Sequence, residues 1–294
     1  MILSASRRTD IPAYYADWFF HRLAEGWLLV RNPMNPAAVK RVSLLRQDVD
    51  GIVFWSKNPA PMLPRLNLLD GYRYYFQFTL TPYGPGIEPG LPAKAEVMDT
   101  FRRLSDIIGP ERVIWRYDPI LFNPDYTPER HVREFADMAR ALGGHTRRCT
   151  ISFIDSYKNT RANSESLRLI DPGDDARRWL ARAFAGAAAE NGIGVSACAE
   201  EIDFSGCGVG RARCVDAELF NALWGLGLSR RKAAGQRKHC GCAQSVDIGA
   251  YNTCPGGCLY CYANYSPGMI ARNRSAHDSA GPALLPACSP ARLP

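Results

Sequence analysis

No apolar run in this sequence is long enough to cross a bilayer, and the opening Met1-Ile-Leu-Ser-Ala-Ser-Arg7-Arg8 meets charge before a signal-peptide core could form. These two absences predict a cytoplasmic protein with no membrane partner. No internal repeat of fixed period occurs, which sets aside repeat architectures. A continuous basic stripe is also missing. The net charge is +7, but Arg and Lys are spread along the chain, so charge alone argues only weakly for a nucleic-acid or phosphate-bearing partner. What remains is ordinary for a soluble globular enzyme: 46% hydrophobic and 22% charged residues in 294, a length that single α/β barrels commonly reach.

Short apolar, β-branched runs recur at Ile2 to Ala5, Gly51 to Trp55, Tyr72 to Leu80, Arg112 to Arg116, Cys149 to Ile154, Ile193 to Ala197 and Val246 to Tyr251. Stretches of helical periodicity separate most of them: Ala13 to Glu25, Ala93 to Ile108, Pro128 to Leu142 and Pro172 to Asn191. Alternating strands and helices predict a parallel sheet. Seven such strands, with a hairpin expected at Trp27 to Val30 and Val42 to Leu45, suit an α/β fold built as a full or partial (β/α) barrel. The strand ends carry Ser6-Arg7-Arg8-Thr9-Asp10, Ser56-Lys57-Asn58, Thr79, Arg116-Tyr117-Asp118, Ser152 with Asp155, and Cys198-Ala199-Glu200. In a parallel barrel these ends share one rim, which makes Arg7, Arg8, Asp10, Lys57, Arg116, Asp118 and Glu200 candidate catalytic or substrate-anchoring residues. Any one of them alone reads as a turn residue or a local ion pair. The argument rests on their coincidence across strands.

The last run leads into Cys254-Pro-Gly-Gly-Cys258-Leu-Tyr-Cys261, followed by Tyr262-Ala263-Asn264. Three thiolates at this spacing can converge on one cubane because Gly256-Gly257 lets the backbone fold tightly, and they leave the fourth iron without a protein ligand. An open coordination position is what a metal needs to activate a substrate. A zinc knot or a disulfide pair is the alternative. Zinc is the weaker fit, since zinc sites usually pair two CxxC knuckles.

The triad, with Tyr260 before its last cysteine, resembles the signature of radical S-adenosylmethionine (SAM) enzymes. A wider set of segments extends the likeness to nearly the whole chain: Ser6-Arg-Arg-Thr-Asp-Ile-Pro12, Trp55-Ser-Lys-Asn-Pro59, Trp115-Arg-Tyr-Asp-Pro119, Cys198-Ala-Glu200, Gln236-Arg237 and Cys240-Gly-Cys242. Together these resemble the DUF1848 proteins, an uncharacterised bacterial family with a radical-SAM-like cysteine cluster at the C-terminus. The resemblance implies a [4Fe-4S] cluster on Cys254, Cys258 and Cys261 that passes one electron to bound SAM, giving methionine and a 5′-deoxyadenosyl radical. That radical would take hydrogen from a substrate, and flavodoxin or ferredoxin would donate the electron.

Radical SAM proteins ordinarily carry the triad after their first strand, whereas here it follows the last. A circular permutation reconciles the two orders and places Ile2 to Ala5 beside the cluster strand. The usual Gly-Gly-Glu segment for the methionine amino group of SAM is absent, so Ser6, Thr9 and Asp10 are the candidates to replace it, with Tyr260 and Tyr262 beside the cofactor. Arg7, Arg8, Lys57 and Arg116 could hold an anionic substrate group. Cys198, Cys214, Cys240 and Cys242 form a second candidate set, suited to an auxiliary iron–sulfur cluster or a zinc ion, with Cys207 as a substitute and buried inert thiols as the alternative. A metal-stabilised nucleic-acid-binding or repair protein is the rival reading of the whole. One domain is expected over 1–271. Residues 272–294, polar and proline-rich, are expected as a disordered tail containing an unligated Cys288.

Overall fold

The computed structural model describes residues 1–155 and 165–286. Its centre is an eight-stranded sheet in the order β10-β1-β4-β5-β6-β7-β8-β9, with every neighbouring pair parallel. The strands are β1 (Ile2–Ala5), β4 (Gly51–Ser56), β5 (Tyr74–Thr79), β6 (Val113–Ile120), β7 (Arg148–Phe153), β8 (Gly194–Ala197), β9 (Gly210–Arg211) and β10 (Val246–Asp247). The expected α/β class with a parallel sheet is therefore observed.

A closed barrel is not. No ladder among the described residues joins β9 to β10, and the two edge strands contribute two residues each. The run expected from Val246 to Tyr251 goes little beyond Asp247: Ile248 N–H still donates to Ser4 O, while the Asp247 side chain collects donors from Ser6 and Arg7, just after β1, and from Gly249. Edges of this length offer too few hydrogen bonds to close a sheet.

Both faces are covered, which is why β4 and β5 read as continuous apolar runs instead of alternating ones. Leu3, Ile52, Phe54, Phe76, Phe78, Trp115, Tyr117 and Ile151 face the helices α2 (Ala16–Glu25), α3 (Lys94–Ile108), α4 (Pro128–Leu142) and α5 (Gly173–Ala189). α1 (Ile11–Tyr14) is a short turn leading into α2. In α4, Thr127 caps the first turn by accepting from Arg130 N–H, Pro128 occupies the first position, and His131, Phe135, Met138, Ala139 and Leu142 form the buried stripe. Phe135 stacks on Phe184 of α5 at 3.9 Å and on Trp115 of β6 at 4.7 Å, and burying one such ring is worth roughly 1.5–3 kcal/mol. The opposite face, with Ile2, Val53, Tyr75 and Ile114, is packed by α6 (Ala217–Trp224) and by Cys198, Cys214, Cys240 and Cys242.

The expected hairpin exists, but its second arm begins at Asn35 and ends at Ser43, short of the expected Leu45: β2 (Trp27–Asn32) pairs antiparallel with β3 (Asn35–Ser43). The expected disordered tail is corrected for residues 272–286. α7 (Pro267–Ser275) runs through the presumed boundary, Trp18 Nε1 and Arg22 donate to the carbonyls of Gly281 and Ala280, and Leu29 N–H donates to Pro282 O. The segment builds no core of its own, but it satisfies its backbone against α2 and β2 and buries Leu284, which is 3% exposed. Cys288 and the rest of the expected tail lie outside the described residues.

Candidate metal and cofactor site

Because all strands of the sheet run parallel, the loops after β10, β1, β4 and β5 meet at one end of it, and the three-cysteine loop lies among them. Asn264 closes the base of that loop: its Oδ1 accepts from Thr253 N–H at 2.8 Å and Cys254 N–H at 2.9 Å. Its Nδ2 donates to Arg8 O at 3.0 Å, and Tyr262 Oη donates to Arg7 O at 3.2 Å. The expected juxtaposition of Ser6 to Asp10 with Cys254 to Cys261 is thus present. It is made by side chains of the cysteine loop holding the backbone of the β1 loop.

The β1 end is fixed by Asp247, whose carboxylate accepts from Ser6 Oγ at 2.6 Å, Arg7 N–H at 2.9 Å, Ser4 Oγ at 3.1 Å and Gly249 N–H at 3.1 Å, and pairs with Arg7 Nε at 3.7 Å. Gly249 is required for this approach, since a Cβ there would sit 2.1 Å from Ser6 Oγ. Ser6 is therefore engaged as a strut. Asp10 is engaged too: Oδ1 caps α1 through Ala13 N–H at 3.0 Å, and Oδ2 accepts from Lys57 N–H at 2.8 Å. Burial pushes its carboxyl up to about 6 despite those bonds. Thr9 differs. Its Oγ1 is buried and has no hydrogen-bond partner among the described residues.

On the other side of the loop stands Glu88, a residue that the sequence reading passed over. Its carboxylate accepts from Lys57 Nζ at 2.7 Å, Thr81 Oγ1 at 2.7 Å, Lys94 Nζ and Tyr260 Oη. Burial would raise this carboxyl, but the two ammonium groups outweigh it and hold it down to about 2. Burial likewise opposes the charge on Lys57, and Glu88, followed by Cys258, reverses the balance and keeps it above the usual lysine range. Tyr260 is therefore a half-buried brace under the Lys57 ammonium, which lies 5.3 Å from its ring centre. The 84–90 loop then packs on the cysteine loop: Gly90 N–H donates to Gly256 O, and a Cβ on Gly90 would fall 2.6 Å from that oxygen.

Among the described residues, no three His, Cys, Asp or Glu side chains stand where one metal ion could be held by all of them. A cubane makes a different demand, since each cysteine binds its own iron and the three sulfurs spread around one face of the cluster. The residues suit that demand in two respects. A Cβ at Gly256 would lie 3.4 Å from Cys254 Sγ and 4.0 Å from Cys258 Sγ, so the bare glycine leaves a cradle between two of the sulfurs. The second is the Thr9 hydroxyl, buried without a partner in the loop that the cysteine segment grips. Burial pushes the Cys254 thiol up and the Cys258 thiol up to about 12, a cost that ligation to a cation reverses.

The remaining candidates separate into two groups. Arg8 donates to Gly249 O and lies over Tyr251 at 5.3 Å, with no ion pair among the described residues. Arg7 is bound to Asp247, and Arg116 is 5% exposed and bound to Asp118, to Gln77 Oε1 at 3.2 Å and to Cys214 Sγ at 2.8 Å. Both guanidiniums are thus already engaged by carboxylates. Glu200 Oε1 accepts from Phe153 N–H at 2.8 Å, burial pushes its carboxyl up to about 7, and it lines a cavity of about 180 Å³ with Asp203, Phe204 and His239. Of the second thiol set, Cys198 Sγ lies 3.1 Å from Cys214 Sγ, and Cys240 and Cys242 pack in the same buried cluster. Cys207 instead lies in the core with Phe204 and Val209.

Fold and site together define an α/β protein with an all-parallel main sheet, on and around which the cysteine-rich segments gather. The family described as "Domain of unknown function (DUF1848)" matches residues 2–263, and the chain belongs to it. No curated protein and no solved structure matches the chain. No helix among the described residues is long and apolar enough to cross a membrane.

Proposed function

We propose that this chain is a radical SAM-like enzyme in which Cys254, Cys258 and Cys261 hold a [4Fe-4S] cluster, in a circularly permuted form of the partial barrel. The single observation that carries the reading is that β1 lies parallel to and beside β10, so that Asn264 and Tyr262 clamp the Arg7 and Arg8 carbonyls against the cysteine loop. Radical SAM chemistry needs polar ligands beside the open iron, and the neighbouring strand supplies them here. The bound cluster would contribute one electron for reductive cleavage of SAM. The protein's own residues bind and exclude. Thr9 Oγ1 is the hydroxyl free to receive the methionine end, and Arg8 is the cation free to receive a carboxylate. Asp10 and Ser6 hold those two in place, and the Glu88, Lys57, Lys94 and Tyr260 network seals the far side of the loop against water.

The rival reading as a nucleic-acid-binding module would use the rim cations for phosphate, but Arg7 and Arg116 are already paired with Asp247 and Asp118. The test is anaerobic reconstitution with iron and sulfide. A reduced-cluster EPR signal that changes on adding SAM, with release of 5′-deoxyadenosine, is expected. Stoichiometric zinc without iron, or a spectrum indifferent to SAM, overturns the proposal.

A further inference from the structure

Cys198, Cys214, Cys240 and Cys242 come from three separate places in the chain: the end of β8, the loop after β9, and the segment just before β10. All four are buried, and they meet on the sheet face opposite α2 to α5, the face on which α6 packs. Cys198 Sγ lies 3.1 Å from Cys214 Sγ, and Cys240 and Cys242 pack with them in one buried cluster. Chance packing of apolar thiols does not account for what surrounds them. Arg116, 5% exposed, points Nη1 at Cys214 Sγ at 2.8 Å, and Val215 N–H donates to Cys242 Sγ at 3.5 Å. A neutral thiol is a weak acceptor and a poor partner for a buried guanidinium, whereas a thiolate is a good one. Asp118 supplies one negative charge to Arg116, and Cys214 occupies the second direction.

We infer that these four cysteines are the ligands of a closed tetrathiolate metal centre, separate from the Cys254 loop, with Arg116 as its buried counter-cation. The chemistry requires a thiophilic metal, as a zinc ion or an iron–sulfur cluster. Ligation releases the four thiol protons to solvent, and four thiolates around a dication leave two negative charges, toward which the Arg116 guanidinium, shared with Asp118, points. The sulfurs must move to bind: as they stand no three of them could hold one ion, and the 3.1 Å separation of Cys198 and Cys214 is shorter than the tetrahedral edge of about 3.8 Å that zinc–sulfur bonds of about 2.3 Å imply. With no open position the centre is structural. It pins the segment that carries α6 to a sheet face that would otherwise be bare.

The centre also stands close to the proposed cofactor side. Trp55 donates through Nε1 to Ser4 Oγ at 3.1 Å and lies under two guanidiniums, Arg116 at 5.1 Å and Arg7 at 6.0 Å. Arg7 in turn is held by Asp247.

The experiment uses the full-length chain with Cys254, Cys258 and Cys261 replaced by alanine, so that failure of the cluster proposal does not affect it. Metal and acid-labile sulfide per chain are measured after anaerobic purification. One equivalent of zinc without iron identifies a single ion, iron with sulfide identifies a cluster, and either supports the centre. A folded triad variant free of metal overturns it. If that variant does not fold, native alkylation of the wild-type chain decides: Cys198, Cys214, Cys240 and Cys242 should become reactive when a chelator strips the metal while Cys149 stays protected, and protection indifferent to the chelator overturns the inference. Arg116→Gln should weaken retention of cobalt(II), followed by its thiolate charge-transfer bands, by about 10–100-fold.

Discussion

Asp247 is the residue whose loss should matter most for its size. Its two oxygens serve four donors: Oδ1 takes Ser6 Oγ and Gly249 N–H, Oδ2 takes Ser4 Oγ and Arg7 N–H, and Arg7 Nε adds an ion pair at 3.7 Å. Its side chain is 7% exposed, so water cannot replace it. A hydrogen bond to a charged group is worth about 1.5–3 kcal/mol, but four on one carboxylate are not additive, and about 3–5 kcal/mol is the expected cost of Asp247→Ala. Asp247→Asn is the more discriminating change. Whichever way the amide is turned, its NH2 group faces one backbone N–H, from Arg7 or from Gly249, and neither can accept. One buried donor is left unsatisfied in both orientations, which costs about 1–3 kcal/mol. Urea denaturation should show the midpoint falling in the order wild type, Asn, Ala with an unchanged slope. The Ala variant should also lose iron from the triad on reconstitution, because the β1 loop that the cysteine segment grips is no longer anchored. Stability losses below about 0.5 kcal/mol for both variants would refute the claim that Asp247 organises the junction of β1 and β10.

Glu88→Gln strands two ammonium groups around a neutral amide and should destabilise the chain by on the order of 3 kcal/mol in a denaturant titration; no measurable loss would mean the lysines find water instead. Gly90→Ala drives a methyl against the Gly256 carbonyl at 2.6 Å, so iron bound by the triad should fall while far-UV circular dichroism is unchanged; full iron retention would show that the two loops part freely. His131 lies fully buried between Tyr117 Oη and Leu121 O, at 2.7 and 2.8 Å. Leu121 O can only accept, so Nε2 carries the proton and Nδ1 accepts from tyrosine. Burial, aided by Arg130, lowers the pKa to about 4 from 6.5. The unfolded chain therefore binds the proton first, and the stability present above pH 6.5 should fall by roughly 3 kcal/mol as pH drops from about 6.5 to about 4. His131→Gln should lack that slope, and parallel pH curves for the two proteins would contradict it.

Elements whose signals are local were legible in the sequence. α4 was read with its observed bounds because Thr127, Pro128 and the stripe from His131 to Leu142 all speak for one helix. Most strands of the sheet were found within two residues for a similar reason, as β-branched runs bounded by polar turns. α6 was missed. It is eight residues long and apolar around much of its circumference, so it shows neither the length nor the stripe that identifies a helix. The site was legible where chemistry is written in spacing, as in the cysteine triad, and hidden where it depends on distant contact. Glu88 sits in a Pro- and Gly-rich loop with no period, and only the fold brings it to Lys57, Lys94 and Tyr260. Asp247 was concealed inside a run that looked like a strand. Arg7 and Arg116 were read as anchors because their pairing with Asp247 and Asp118 is invisible until the chain is folded.

That the three-cysteine loop comes at the end of the sequence is no obstacle to the chemistry proposed for it. In a parallel sheet every strand delivers its C-terminal loop to the same end, whatever its place in the chain, so a site depends on which strands are neighbours and not on which comes first. Here β10 is the neighbour of β1, and β1 of β4, so the loops carrying Cys254, Thr9 and Lys57 lie in succession although 244 residues lie between Thr9 and Cys254. What the late position does require is a device to hold a short edge strand in register. β10 has only Leu3 to Val246 and Ser4 to Asp247 as ladder pairs, too few to fix it. The side chains of Asp247, Asn264 and Tyr262 reach across to β1 and its loop and substitute for the missing ladder. An edge strand held by side chains instead of backbone can be repositioned by one substitution, and this is the physical reason that Asp247 should govern metal binding and stability together.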